Sequence, residues 1–490
     1  MENSNNSTGK ITKIQIRMYR VGTGDFFMLL FKKGDKVSYK MMIDCGCINS
    51  GKDDFLPKLN DLDLLTNKVI DLLIVTHEHT DHINGFEKCS DLFDKYTFKK
   101  VWFAWTEDDN DPIANDYRAN YSKLGLGINK ATEELKGLYG YYKTLYSNEV
   151  GGDLMLEGKQ QFIQSLTSLD DLIPLKGFAI GQPLPSMTEL FRSYNIIKDD
   201  TVVEYFEPGN VVDDILGAEG IRFYVLGPPR DRVFLNKTEA EGETFEQREK
   251  KSTIDFSFLS AIGATETYGS AATLPFEPEF EAAPDNKGIQ KVYREGGEWR
   301  KIDYDWLYSA GALAMRYERS INNTSLALAI QFEDSERILL FTGDAEIGNW
   351  ESWHKDLEWP VKINGRIVQK KADYFLNNTV FYKVGHHLSQ NGTAKGKGIE
   401  MMTNTDLTSM ASLDFKKINK GWLSTMPNDL LGAELIRKTK GKLLFAGDHE
   451  RIMENIKTDR VTVKKEHEKT LIALNTKFNG KDFIEYEVQG

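Results

Sequence analysis

Three of the eight histidines in this 490-residue chain fall within six residues, His77-Glu-His-Thr-Asp-His82, directly behind an apolar run at residues 69–75. The run has the length and composition of a buried strand, and the polar motif begins where it ends, at Thr76. A chain with this feature has to stop a strand, turn sharply and start a helix near Asp81. His77 and His79 then project to one side of the turn, with Asp81 and His82 following at the helix start. Imidazole and carboxylate without thiolate suit zinc, and also manganese or iron. Three such histidines are rare by chance at this histidine frequency, so the cluster reads as a metal site and not as a solvated loop.

Other segments repeat the pattern of an apolar strand with a polar end. Residues 11–19 alternate apolar and polar in the two-residue period of a half-buried strand, and 26–31, 39–43 and 101–105 read as further strands. The third of these ends at Asp44. Residues 325–332 and 337–341 form a later pair ending in Thr342-Gly-Asp344, and 381–384 run into Gly385-His-His387. Buried strands whose C-terminal ends carry polar residues indicate an α/β fold with its chemistry at those ends. Residues 202–225 return to strands and turns, and the last 80 or so alternate strand and helix.

Two stretches break the texture and read as insertions into one domain spanning residues 11–490. The first, at about 106–200, carries an expected helix at 129–146; the second, at about 231–319, contains an acidic, Pro-containing loop at 274–281. Leu339-Leu-Phe-Thr-Gly-Asp-Ala-Glu346 and Leu443-Leu-Phe-Ala-Gly-Asp-His-Glu450 agree at six of eight positions, which suggests two similar strand-turn units.

The formal charge of −12 excludes a surface that grips nucleic acid or anionic membrane indiscriminately, though not a basic channel in an acidic shell. Three cysteines, Cys45, Cys47 and Cys89, are too few and too odd in number for a disulfide framework and read as packed thiols. No run of 18 apolar residues exists, so no membrane span is expected. The polar first ten residues read as a loose tail and not an export signal, which makes the cytoplasm the expected location.

The His77–His82 motif resembles the metal-binding signature of the metallo-β-lactamase superfamily, and its surroundings resemble one branch, the soluble hydrolase domain of the DNA-uptake protein ComEC. Val21-Gly-Thr-Gly-Asp25, Met42-Ile-Asp-Cys-Gly46, Val225-Leu-Gly-Pro-Pro229, Asn322-Asn-Thr-Ser-Leu326, Leu340-Phe-Thr-Gly-Asp344 and Lys383-Val-Gly-His-His387 are similar to that branch's motifs, in order. The islands cover about residues 11–105 and 202–450; the insertions match nothing in it. The resemblance implies a four-layer αββα sandwich binding one or two divalent ions, zinc or manganese. His77 and His79 would hold the first, Asp81 and His82 the second, with Asp344 bridging. His387, two residues before Ser389, would be the remaining ligand, leaving His386 for proton transfer; Asp81 would also hold the nucleophile. Asp44 would orient a ligand histidine, or else be a turn carboxylate. Asp448 reads as structural, and His354 and His467 as surface residues.

Two departures stand out. No histidine lies between His82 and Asp344 to complete the first site, leaving Asp231, water or the remote His449 as substitutes. Leu388 stands where the branch usually has glycine, which would narrow the approach of a phosphate. The implied function is phosphodiester hydrolysis of DNA or RNA by a metal-activated hydroxide, with Lys383, Lys395, Lys397, Arg230 and Arg232 flanking the cleft. The alternatives are hydrolysis of a small phosphoester, lactone or thioester, or a degenerate protein that binds a protein partner through its insertions.

Overall fold

A computed structural model describes residues 9–48, 50–119, 185–245, 321–363, 365–418, 426–456, 463–477 and 482–490. The first sheet is built from β1 (Lys13–Tyr19), β2 (Phe27–Lys33), β3 (Lys36–Ile43), β4 (Val69–Ile74), β5 (Thr97–Ala104), β6 (Val202–Phe206) and β16 (Phe483–Gln489), in the order β16-β1-β2-β3-β4-β5-β6. The second holds β7 (Val211–Val212), β8 (Ile221–Gly227), β9 (Ala327–Phe332), β10 (Ile338–Phe341), β13 (Thr379–Lys383), β14 (Thr408–Ala411) and β15 (Leu443–Phe445), in the order β15-β14-β13-β10-β9-β8-β7. Each sheet is antiparallel in one half and parallel in the other: β3 to β6 run parallel in the first, β10, β13, β14 and β15 in the second. A hairpin of β11 (Trp359–Ile363) and β12 (Arg366–Lys370) stands apart. The molecule is α/β, with mixed sheets.

Side chains divide between cores by the two-residue period of a strand. In β2, Phe27, Leu29 and Phe31 join the core shared by both sheets, while Met28 and Leu30 turn to the helices outside. In β10, Leu339 and Phe341 face the shared core, and Ile338 and Leu340 face the outer core of the second sheet. With apolar cover on both faces, these strands are continuously apolar. Helices Lys52–Thr66 and Thr80–Lys88 supply Phe55, Leu59, Ile83 and Phe86 to the outer core of the first sheet, and Ile347–Trp353 and Asp429–Lys438 cover the second. Helix Met187–Ser193, from the end of the first expected insertion, also packs in the first outer core through Met187, Leu190 and Phe191.

Chain contacts group Met1–Ala119, Leu172–Arg248 and Arg319–Gly490 in one unit. The other unit, Asn120–Asp171 and Glu249–Glu318, falls outside the described residues, as do the expected helix at 129–146 and the acidic loop at 274–281. The two echoing octapeptides are strands β10 and β15 of one sheet, each followed by a turn and a helix, Ile347–Trp353 and His449–Ile456. Among the described residues, no helix is long and apolar enough to cross a membrane.

Candidate metal centre

The polar ends of parallel strands converge from both sheets. Asp44 follows β3, the His77–His82 motif follows β4, Asp344 follows β10, His386 and His387 follow β13, and Ser412 follows β14. Asp25 joins them just before β2, whose antiparallel start lies opposite the end of β3. The turn after β4 is pinned by backbone: Asp25 N donates to Asp81 O at 3.0 Å, and Cys45 N to His82 O at 2.8 Å. Gly46 is required by this packing, since a Cβ there would lie 2.3 Å from the backbone of Asp81 and His82. Gly24, at φ +150°, would clash with Gly46 O at 2.4 Å. The glycines of both turn motifs thus make room for the chain that carries the ligands.

Asp81, His82, Asp344 and His387 are all buried, and one ligand atom from each lies within 4.8 Å of the others. His82 Nε2 and His387 Nε2 lie 3.2 and 3.1 Å from Asp344 Oδ2, and His387 Nε2 is also 3.1 Å from Asp81 Oδ2. The second nitrogen of each imidazole is held from behind. His82 Nδ1 faces Asp44 Oδ2 at 2.8 Å, and His387 Nδ1 faces the Ser412 carbonyl at 3.0 Å. This is the usual way a ligand histidine is oriented and its tautomer fixed. Asp81 Oδ1 is buried with no hydrogen-bond partner, a state that buried polar atoms rarely tolerate. The chemistry of the group fits a divalent cation bound by nitrogen and oxygen.

Asp25, Asp44 and His82 form a second group of ligand type, and its atoms are already engaged. Asp44 Oδ1 accepts from Thr76 N at 2.8 Å, and Oδ2 from Thr76 Oγ1 at 2.6 Å. Asp25 accepts the Ser412 hydroxyl on one oxygen and the Lys383 ammonium, at 2.5 Å, on the other.

The charges follow from this packing. Burial alone would lower the His82 pKa, but the carboxylates of Asp344, Asp25 and Asp81 outweigh it and hold the ring well above an ordinary imidazole. Burial and carboxylates compete likewise at His387, and Asp344, Asp81 and Asp25 raise it to about 10. Against their own burial, Asp81 is held down at about 2 by His82 and His387, and Asp344 well below the carboxylate range by His387, His82 and Lys383. His77 moves the other way: burial, then the neighbouring rings of His82 and His79, push it well below its usual value. Without a cation, the two imidazolium rings balance the carboxylates; an incoming cation has to displace their protons.

His77 and His79 are buried beside this group without joining it. His77 Nε2 is 3.1 Å from His79 Nδ1, and its Nδ1 is 3.1 Å from Thr76 Oγ1 and 3.3 Å from Ser325 Oγ. Neither Asp231 nor His449 completes a site with them among the described residues. Asp231 caps the turn Arg232–Leu235 and approaches Lys355, and His354 Nε2 is 2.8 Å from Lys397 O. His386 faces Glu346 Oε1 at 3.5 Å and Asn322 Nδ2 at 3.3 Å. His386, His387 and Leu388 all adopt left-handed backbone, at φ 44°, 47° and 67°, which costs such residues about 1–3 kcal/mol each. The Leu388 side chain is buried in the outer core of the second sheet, so it does not narrow the cleft.

The cations expected to frame the cleft are engaged with protein. Arg230 pairs with Asp111 and Glu207, Arg232 with Asp116, and Lys397 with Glu351, while Lys395 lies 5.0 Å over the Phe245 ring. The three cysteines are buried, free and packed in the outer core of the first sheet. Sequence reasoning assigned no role to Asp25, Ser412, Ser325 or Glu346. Ser412 follows β14, whose Thr408-Ser-Met-Ala411 is half polar, so it lacks the apolar-run signal that identified Asp44 and Asp344. The chain matches no protein-family model and no curated protein.

Proposed function

We propose that the chain is a metal-dependent hydrolase of the metallo-β-lactamase superfamily, akin to the ComEC hydrolase domain, which binds one divalent cation and cleaves phosphodiester bonds. The observation that carries the reading is the convergence of Asp81, His82, Asp344 and His387 within 4.8 Å, with Asp81 Oδ1 buried and unsatisfied. Helices outside two mixed sheets that share one core support the αββα sandwich of that superfamily. A divalent cation held there, zinc or manganese, supplies Lewis-acid chemistry and lowers the pKa of water from 15.7 to about 7. Asp81 Oδ1 would accept a hydrogen bond from the attacking water and hold it in line. His386, in its protonated form beside Glu346, would give its own ring proton to the leaving oxygen. Asp44 and the Ser412 carbonyl hold the rings of His82 and His387 in their binding orientation.

One observation favours a second reading, hydrolysis of a small phosphoester, lactone or thioester. The arginines and lysines flanking the centre are paired with carboxylates or with an aromatic ring, whereas polynucleotide binding needs cations directed at phosphates. A panel with manganese, magnesium and zinc separates the two: single- and double-stranded DNA, RNA, bis-para-nitrophenyl phosphate, a lactone and a thioester. Cleavage of the phosphodiesters, lost in Asp81→Ala, is the expected result. Turnover of the lactone or thioester alone would replace it with the second reading.

A further inference from the structure

Lys383, the last residue of β13, is 1% exposed, and its ammonium has three acceptors for its three N–H groups. They are Asp25 Oδ2 at 2.5 Å, the Gly343 carbonyl at 2.9 Å and Asp344 Oδ1 at 3.1 Å. The sequence placed this lysine among cations awaiting a substrate phosphate; enclosed and saturated, it cannot reach one. Burying an ammonium is costly unless it is fully paired, and this one is paired at the edge of the ligand group.

Its position divides Asp344 in two. Oδ2 faces the imidazoles of His82 and His387, and Oδ1 is taken by Lys383. Asp25 is likewise used up, with one oxygen on Lys383 and the other on Ser412. Asp44 is engaged as well, by Thr76 on both oxygens and by His82 on one, and the buried Glu346 accepts from Asn322 and Asn391. A second divalent ion would therefore have to displace the ammonium from Asp344 Oδ1 and Asp25 Oδ2 to find carboxylate oxygens here.

We propose that Lys383 is a tethered cation that occupies the Asp344 and Asp25 oxygens a second metal ion would need, and so limits the centre to one ion. Lys383 is a positioning residue, acting through Asp344 without touching substrate. This role rests on the metal-binding reading given above. It also gives the missing third ligand beside His77 and His79 a physical counterpart: the charge of a second ion is already supplied by the chain.

The test is the number of manganese ions bound per chain, by titration calorimetry and elemental analysis, with electron paramagnetic resonance to distinguish isolated from exchange-coupled manganese. Wild type and Lys383→Arg should bind one ion with an uncoupled spectrum; Lys383→Met should bind two. Because Lys383→Met strands the Asp25 carboxylate and can fail to fold, Lys383→Gln serves as the second variant. Its neutral amide can donate to Asp25 while both carboxylates remain in place, and two ions are expected there too. Two coupled ions in the wild type, or one ion in whichever of the Lys383→Met and Lys383→Gln variants folds, overturns the role of Lys383 and leaves the metal-binding reading intact. No ion in any protein overturns the metal-binding reading itself.

Discussion

Two groups of carboxylates meet at His82, built from the same residue types, and they differ in what their atoms face. On the Nδ1 side, Asp44 and Asp25 are satisfied by Thr76, Ser412, Lys383 and the ring itself. On the Nε2 side, Asp81 Oδ1 has no donor, and the rings of His82 and His387 crowd one oxygen of Asp344. The atoms of the first group are engaged by protein, and the second keeps the open oxygen that could take a cation. Ligand-type residues alone do not distinguish the two; donor accounting does.

Breaking the open side should have the largest effect. Asp344→Ala removes the carboxylate on which both imidazoles converge, and zinc affinity measured by calorimetry should fall by more than 100-fold, beyond the 10–100-fold typical of residues behind the ligands. Asp44→Asn keeps the size of the closed side and weakens its hold on His82 Nδ1, so it should fall within that 10–100-fold range. An equal loss in the two variants would erase the distinction between the sides.

The pH dependence of stability sharpens the comparison. In the cation-free fold His387 is held at about 10, above the ~6.5 of an unfolded histidine. A raised group stabilises fully below its unfolded pKa and loses that contribution as pH rises through the folded one. Melting temperatures of chelator-treated protein should therefore fall between about pH 6.5 and 10. Asp81, held at about 2, adds stability that is lost as pH drops below ~3.9 toward 2. Zinc requires both rings deprotonated, so its affinity should rise with pH over the same upper range. A zinc affinity independent of pH would mean that His82 and His387 are not ligands.

The strands and the polar residues at their ends were legible because period and punctuation survive in a single sequence. Residues 72–75 and 338–341 are apolar in both alternating positions since each strand is covered on both faces there, and Asp44, Thr76 and Asp344 mark where that cover stops. The partition of ligands was not legible. Nothing in the order of residues says that the lysine in Lys383-Val-Gly-His-His387 turns inward to Asp25, a contact across more than 350 residues made by bringing two sheets together. The same holds for Arg230 and Lys397, whose charge suggested substrate contacts and whose carboxylate partners appear only in three dimensions.

Those surface pairs carry the smallest predicted effect. Arg230→Ala and Lys397→Ala each break partly exposed ion pairs of about 0–1 kcal/mol. They should shift melting by a degree or two and leave the salt dependence of phosphodiester cleavage unchanged. A salt slope that flattens in Arg230→Ala would show that this arginine meets phosphate after all.

X-ray absorption on zinc-loaded protein tests the central claim most directly, because it reads the atoms around the ion. The account predicts a first shell of nitrogen and oxygen only, at about 2.0–2.2 Å, with the multiple scattering of two imidazoles, falling to one imidazole in His387→Ala. A sulfur shell at about 2.3 Å, or an imidazole count unchanged by His387→Ala, would place the ion elsewhere and contradict it.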